Sequence, residues 1–365
     1  MRKARDGQSY APDFPETKPV VQPGEFVFAA AYFDHGHIHG QIKGLVAAGG
    51  QLKYVYDPQP ERIESTLADY PGARAVTDFD EILQDPSIQL VTAAAVPSSR
   101  CPIGLRVMEA DKDYLTDKPP LTSLEQLAQA REAVKRTGRK YMVCYSERLL
   151  SESTYHAGEM VRDGVIGDVL HILNLAPHNL NAPSRPEWFF QKPQYGGIIT
   201  DLGSHQIEQF MHFSQARDAT IDLARVANLG HPEYPGLEDF GEVLMTTDTG
   251  AACYCRVDWF TPGGLRTWGD GRTFVLGTKG SIEIRKYIDL ARDTGGGLIL
   301  LVDETKEHEI PCMGRIGFPY FGKLVLDVLN RTETAMTQEH AFKAAELSLL
   351  AQQMADLKNA PPTAG

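Results

Sequence analysis

Between residues 27 and 145 the chain alternates between short apolar runs and longer segments with helix-like spacing, and no other feature restricts its fold as much. The apolar runs fall at 27–32, 52–56, 73–76, 90–96, 113–116 and 141–145. Helical spacing fills the gaps: Ile38, Ile42, Leu45 and Val46 after the first run, then 60–69, 79–83, 103–110 and 124–137. This alternation predicts an α/β Rossmann domain, a doubly wound parallel sheet. Right-handed crossovers would bring the C-terminal ends of the strands to one edge, where such sheets bind ligands.

After about residue 147 the texture changes. A helix is expected near 153–163, a strand at 169–175, an irregular loop at 177–195, and a helix from Asp201 carrying Leu202, Ile207, Phe210, Met211 and Phe213. Strand-like runs follow at 221–227, 242–246, 251–259, 272–276, 281–285 and 298–302, and two helices near 319–330 and 338–357 close the chain. Many strands and few helices predict an α+β domain with a mainly antiparallel open sheet. The expected division is an N-terminal arm at 1–24, polar and proline-bearing, a dinucleotide-binding domain at 25–147, and a substrate and oligomerisation domain at 148–365.

Charge narrows the partners. Lys+Arg total 36 against 48 Asp+Glu, a net charge of -12, which argues against nucleic acid. No apolar run is long enough to span a membrane, and no apolar segment follows the basic start Met1-Arg2-Lys3 as a secretory signal would require. The five cysteines (101, 144, 253, 255 and 312) form no C-x-x-C pair, and their odd number suits a reduced compartment, so a cytoplasmic location is expected. Cys253 and Cys255 alternate in a strand-like run and are expected to share one face of a sheet.

Three stretches carry chemistry. In Gly196-Gly197-Ile198-Ile199-Thr200-Asp201-Leu202-Gly203-Ser204-His205 the glycines permit a tight turn, and Asp201 and His205 fall four apart on one helix face. The pair reads either as a proton-transfer couple or as a helix-capping acid beside a packed histidine. In the turn after the first strand run, only Gly36 of Asp34-His35-Gly36-His37-Ile38-His39 fits a G-x-G-x-x-G fingerprint. Asp57, 21 residues after Gly36, closes the second run, where a carboxylate binds adenosine ribose hydroxyls and favours NAD, with Arg62 leaving NADP as the alternative. His35, His37 and His39 alternate through a turn with no thiolate or carboxylate cluster beside them, so no metal is expected. In Asp117-Lys118-Pro119 a lysine at a strand end can reach the ligand edge, or simply lie at the surface. The loop holding His178, Asn179, Asn181, Arg185, Trp188, Phe189 and Phe190 pairs hydrogen-bonding groups with aromatics, as a carbohydrate site does. The run 258–272, with Trp259 and Trp268, is expected either to reach the site or to form a subunit contact.

Taken together, these stretches resemble the Gfo/Idh/MocA oxidoreductases over roughly residues 25–350, most specifically in Asp117-Lys118-Pro119 and Gly196-Gly197-x3-Asp201-x3-His205. The resemblance implies Lys118, Asp201 and His205 as catalytic residues beside a nicotinamide. It implies NAD, with NADP as the alternative, bound by Phe33, Asp34, Gly36, His37, Ile38, Asp57, Arg62, Val96, Pro97, Asp117 and Lys118. Substrate contacts are expected from Glu147 and Arg148, at the junction of the domains, and from His178, Asn179, Arg185 and Trp188 with Asp201 and His205. Two departures stand out: Asp34 replaces the first fingerprint glycine, and Asp117 replaces the glutamate of the E-K-P motif. The activity implied is hydride transfer between NAD and a hydroxyl-bearing carbon of a sugar, polyol or cyclic alcohol. NAD-assisted elimination or isomerisation, and a non-catalytic sensor of the same fold, are the alternatives. A homodimer or homotetramer is expected from the resemblance.

Overall fold

A computed structural model describes residues 18–292 and 296–359. The described chain forms two compact units, one of residues 18–145 with 317–342 and one of 146–316 with 343–359. Of the expected arm, residues 1–17 lie outside the described residues; in the remainder Val21 is buried and the Val20 amide donates to the Ala48 carbonyl.

The first unit holds six parallel strands: β1 (Val27–Ala31), β2 (Gln51–Tyr56), β3 (Arg74–Ala75), β4 (Leu90–Ala93), β5 (Asp113–Asp117) and β6 (Tyr141–Cys144). Their order is β3-β2-β1-β4-β5-β6, so the winding reverses between β1 and β4. That reversal is the crevice where doubly wound sheets bind dinucleotides. β4 and β5 are buried throughout, as strands covered on both faces must be. Helices α1 (Ile38–Ala47), α2 (Pro97–Glu109) and α3 (Leu124–Thr137) are the longest crossovers. α2 starts at Pro97, earlier than the expected 103, and carries Pro102 inside it. Pro102 has no amide to give the Ser98 carbonyl, and the Gln126 side chain supplies the donor at 2.9 Å.

The second unit contains helix α4 (Glu152–Arg162), strand β7 (Val169–Pro177) and helix α5 (Ser204–Phe213). Seven more strands follow: β8 (Ala219–Ala227), β9 (Phe240–Thr247), β10 (Ala252–Asp258), β11 (Arg272–Gly277), β12 (Gly280–Arg285), β13 (Leu298–Asp303) and β14 (Glu307–Pro311). They form one sheet in the order β14-β13-β12-β11-β7-β10-β9-β8, antiparallel throughout except for the parallel pair β7/β10. Along β9 and β10 buried residues alternate with more exposed ones, and the buried row includes Val243, Met245, Cys253, Cys255 and Val257. All five cysteines are buried free thiols.

The chain closes with α6 (Pro319–Asn330) and α7 (Gln338–Asn359). Unlike the contiguous division expected from sequence, residues 317–342 return to the first unit. The reasons are local. The Phe321 ring lies where a Cβ on Gly44 of α1 would be, 2.2 Å from it, so only glycine admits the ring. Gln338 gives the Tyr141 carbonyl a donor and the Tyr141 amide an acceptor, at 2.6 and 2.8 Å, and so pairs the outer edge of β6 as another strand would.

Candidate active site

In the first unit the site residues gather at the C-terminal ends of β1, β2, β4 and β5. Asp57, the residue after β2, has a fully buried side chain. Its Oδ2 accepts from the Phe33 amide at 2.6 Å and its Oδ1 from the Gln59 amide at 2.8 Å. Burial pushes this carboxyl above its usual range, against the two amides and Arg62. Asp57 therefore clamps the turn after β1 onto β2. The more exposed acid is Asp34, which takes the Arg62 guanidinium at 2.5 Å and the Val96 amide at 3.3 Å. Arg62 also lies 3.7 Å from Asp57, so one cation is shared by two carboxylates.

Asp117, ending β5, is a fully buried hub. His35 Nδ1 and His37 Nδ1 each lie 3.1 Å from one of its oxygens, and Arg100 donates to it at 3.3 Å. Arg100 also donates to the carbonyls of Ala95 and Pro119, which ties the turn holding Lys118 to the end of β4. Burial alone would raise the Asp117 carboxyl, but His37, Arg100 and His35 hold it well below the usual range. Burial, then the neighbouring His37, pushes His35 down to about 3, so its ring is neutral. An ionised carboxylate only accepts, so His37 carries its proton on Nδ1, whereas His35 Nδ1 faces both the carboxylate and the His37 amide, which donates to it at 3.4 Å. The sequence shows no carboxylate beside these histidines, but the fold supplies Asp117, and the three could hold a metal ion by position. The Arg100 cation lies on the same carboxylate. Lys118 itself is buried.

In the second unit the pivotal helix opens as a π-helix, Ile199–Gly203, and continues as α5. Such turns occur often at functional sites. A π turn takes more residues than an α turn, so residues four apart fall just short of a full turn, and Asp201 and His205 stay on one side. Gly196 and Gly197 precede it at φ 89° and 95°, in the left-handed region. The first amides of the helix are capped from afar: Ile198 N donates to Glu238 at 2.9 Å and Ile199 N to Gln352 at 3.0 Å. Asp201 and His205 are both buried.

Around them lies a polar network inside the sheet and helix core. Glu147 Oε2 accepts from Lys286 at 2.9 Å and from Gln206 at 3.0 Å, and Lys286 also reaches Gln209 at 2.9 Å. Burial would raise the Glu147 carboxyl, but Lys286, His205 and His178 hold it far below the usual range. Arg148, expected to meet substrate, has its guanidinium engaged by both oxygens of Glu208, each side chain almost wholly buried. His178 packs at 4.5 Å on Trp268 and edge-on at 5.4 Å to Trp259. Asn179 donates to the Thr261 carbonyl at 3.0 Å, and the Arg185 guanidinium lies over the rings of Phe189 and Trp259. The two tryptophans of the undecided run therefore stand with His178. Trp188 is buried beside Phe189.

Two separate matches cover these units. Residues 28–145 match the oxidoreductase family with an NAD-binding Rossmann fold, and 155–283 match the GFO/IDH/MocA C-terminal domain. An oxidoreductase from Erwinia carotovora atroseptica, known from its crystal structure, is 41% identical with a TM-score of 0.88, over 91% of this chain and 99% of that one. The chain belongs to the GFO/IDH/MocA oxidoreductases. The scyllo-inositol 2-dehydrogenase (NAD(+)) of Bacillus subtilis is 25% identical over 76% of this chain and 80% of its own. The inositol 2-dehydrogenase of Rhodococcus jostii is 27% identical over 72% and 68%. A levoglucosan dehydrogenase solved with NADH and levoglucosan shares the fold, at 16% identity and a TM-score of 0.76 over 91% of this chain and 97% of that one. This oxidoreductase thus carries an NAD-binding Rossmann domain, as its resemblance implied.

The residues that sequence reasoning missed are Arg100, Gln206, Glu208, Gln209 and Lys286. A signal existed for three of them: His205-Gln206-x-Glu208-Gln209 puts polar groups all round a helix that is nonetheless buried. Lys286 has no local signal, since it meets Glu147 across 139 residues.

Proposed function

We propose that this oxidoreductase is an NAD-dependent dehydrogenase oxidising a secondary hydroxyl of a sugar, polyol or cyclic alcohol. One observation supports the reading above others: in the second unit a buried imidazole, His205, stands at a π-to-α junction four residues after the buried Asp201, with the anion of Glu147 acting on it. An imidazole beside fixed carboxylates suits proton exchange with a substrate hydroxyl. Asp201 is assigned to orient it, and Lys118 the role its resemblance gives it, stabilising negative charge as it develops on oxygen. The names of the inositol dehydrogenases above favour a cyclic polyol.

The first unit fits the cofactor by its strand order and by the acid after β2. NAD held there supplies the hydride acceptor. The residues proposed to hold it are those of the turn from Phe33 to Ile38, then Val96, Pro97 and the Asp117-Lys118 turn. Asp34 and Asp57 flank Arg62, so a 2′-phosphate meets two carboxylates sharing one cation, and NAD is favoured over NADP. A homo-oligomer is proposed through the exposed outer face of the large sheet, where Leu223, Leu244, Leu276 and Val302 stand uncovered. Cytoplasmic residence accords with five buried free thiols.

The test is a panel of inositols, sugars and polyols with NAD, followed by NADH absorbance. Net NADH formation is expected with at least one cyclic polyol, and loss of turnover with retained binding in His205→Ala. Product without net NADH would point to oxidation-assisted elimination or isomerisation. Binding without turnover across the panel would overturn the enzyme reading.

A further inference from the structure

We propose that Lys286 is a positioning residue: it fixes Glu147 so that one carboxylate oxygen is kept for an imidazole, and thereby sets the pH range over which His178 and His205 exchange protons. The inference rests on His205 being the proton-transfer group proposed above. Lys286 follows β12, and its side chain is entirely shielded from solvent. Its ammonium donates to Glu147 Oε2 and to Gln209 Oε1, both at 2.9 Å, and Gln206 donates to the same Glu147 oxygen. The other oxygen, Oε1, is buried without a hydrogen-bond partner, and His178 Nε2 lies 3.6 Å from it.

The tautomer of His178 follows from its second contact. Its Nδ1 lies 3.1 Å from the Ala176 carbonyl, which only accepts, so Nδ1 carries the proton. A neutral His178 then turns a bare Nε2 toward an anionic oxygen. Only the protonated ring has an N–H to direct at Oε1, so the 3.6 Å approach favours the imidazolium. A buried ion pair adds little net stability, so its main physical effect falls on the charges around it. Among the described residues, the groups facing Glu147 include Lys286, Gln206 and His205 from the pivotal helix, His178 from the end of β7, and Cys255 of β10. Burial pushes the Cys255 thiol up to about 12, so it is neutral, and the neighbouring Arg148 is matched by Glu208. The histidines therefore respond to the balance between Glu147 and Lys286, with the buried Asp201, four residues before His205 on the pivotal helix, a further carboxylate on that side.

Removing each charge in turn should move the histidines in opposite directions. Glu147→Gln leaves Lys286 as an unmatched cation and lowers the pKa values of His178 and His205 by about one unit or more. Lys286→Met leaves Glu147 unmatched and raises them by a similar amount, whereas Lys286→Arg keeps them near the starting values. The double variant E147Q/K286M lies between the two single ones. The readout is NMR titration of the imidazole C–H signals in the full chain, assigned with His178→Asn and His205→Asn. It needs neither cofactor nor substrate. If either single variant fails to fold, the sign of the other remains a test. Shifts of the same sign in both, or none in either, overturn the inference. In turnover assays the acid limb of kcat moves with the histidines. Opposite shifts by NMR together with no oxidation of any polyol would leave this coupling standing and overturn the dehydrogenase reading instead.

Discussion

Replacing Gly197 by alanine tests whether the pivotal helix is set by its glycine turn and its distant caps. Two costs add. Gly197 sits at φ 95°, which an L-residue adopts at roughly 1–2 kcal/mol. The new Cβ would also lie 2.3 Å from Cδ of Gln352, so the carboxamide must leave. That carboxamide accepts the Ile199 amide and donates to Glu238, and stranding a buried helix-end donor costs about 1–3 kcal/mol. The expected loss is therefore about 2–5 kcal/mol. Gly250→Ala is the control: its φ is 89° and no atom lies within 4 Å of the added Cβ, so only the strain of about 1–2 kcal/mol applies. Urea unfolding of both variants, with slopes checked for constancy, gives the comparison. G197A/Q352A should be less destabilised than the sum of its single variants by about 1–3 kcal/mol, because the cap is lost only once. A G197A cost no larger than that of G250A, or strict additivity in the double variant, would refute the steric argument.

Three further outcomes are expected. Arg148→Met strands the buried carboxylate of Glu208 and should cost about 3–5 kcal/mol in urea unfolding, most of it recovered in R148M/E208L. Stability should fall as pH drops below about 6.5, because unfolded His35 takes up a proton there while the folded ring, held down to about 3, does not. At pH 5 the loss from this group is about 2 kcal/mol relative to pH 7, and His35→Asn should flatten that part of the profile, as unfolding midpoints across pH would show. Calorimetric titration should find NADH bound at least about tenfold more tightly than NADPH; the reverse preference, abolished by Arg62→Ala, would assign Arg62 to the phosphate.

The sequence disclosed those features whose causes lie within a few residues. Periodicity located nearly every strand and helix, since burial on one face leaves its period in the chain. It missed β14, whose Glu307-His308-Glu309 run lies at a sheet edge and carries no apolar alternation. It began α2 too late, because Pro102 reads as a break and the Gln126 side chain that replaces its missing donor is 28 residues away from the freed Ser98 carbonyl. Asp57 stood out as an acid at a strand end, but that its oxygens are taken by Phe33 and Gln59 depends on how the turn closes. The polar partners least visible in advance, Asp117 for His35 and His37 and Lys286 for Glu147, are brought together only by sheet order. No local pattern encodes a contact across 80 or 139 residues.

The distant caps and the returning segment also govern when each unit can be finished during synthesis. The parallel sheet lacks the cover of α6 and the Gln338 pairing of β6 until residues 317–342 emerge, well after its last strand at Cys144. At ribosomal speeds of about 5–20 residues per second that interval lasts roughly 10–40 s. The start of the pivotal helix waits longer still, since Gln352 caps Ile199 from 153 positions downstream. A nascent chain of this protein therefore spends most of its translation with both units open, and premature termination anywhere before the final helix yields a polypeptide in which neither is complete.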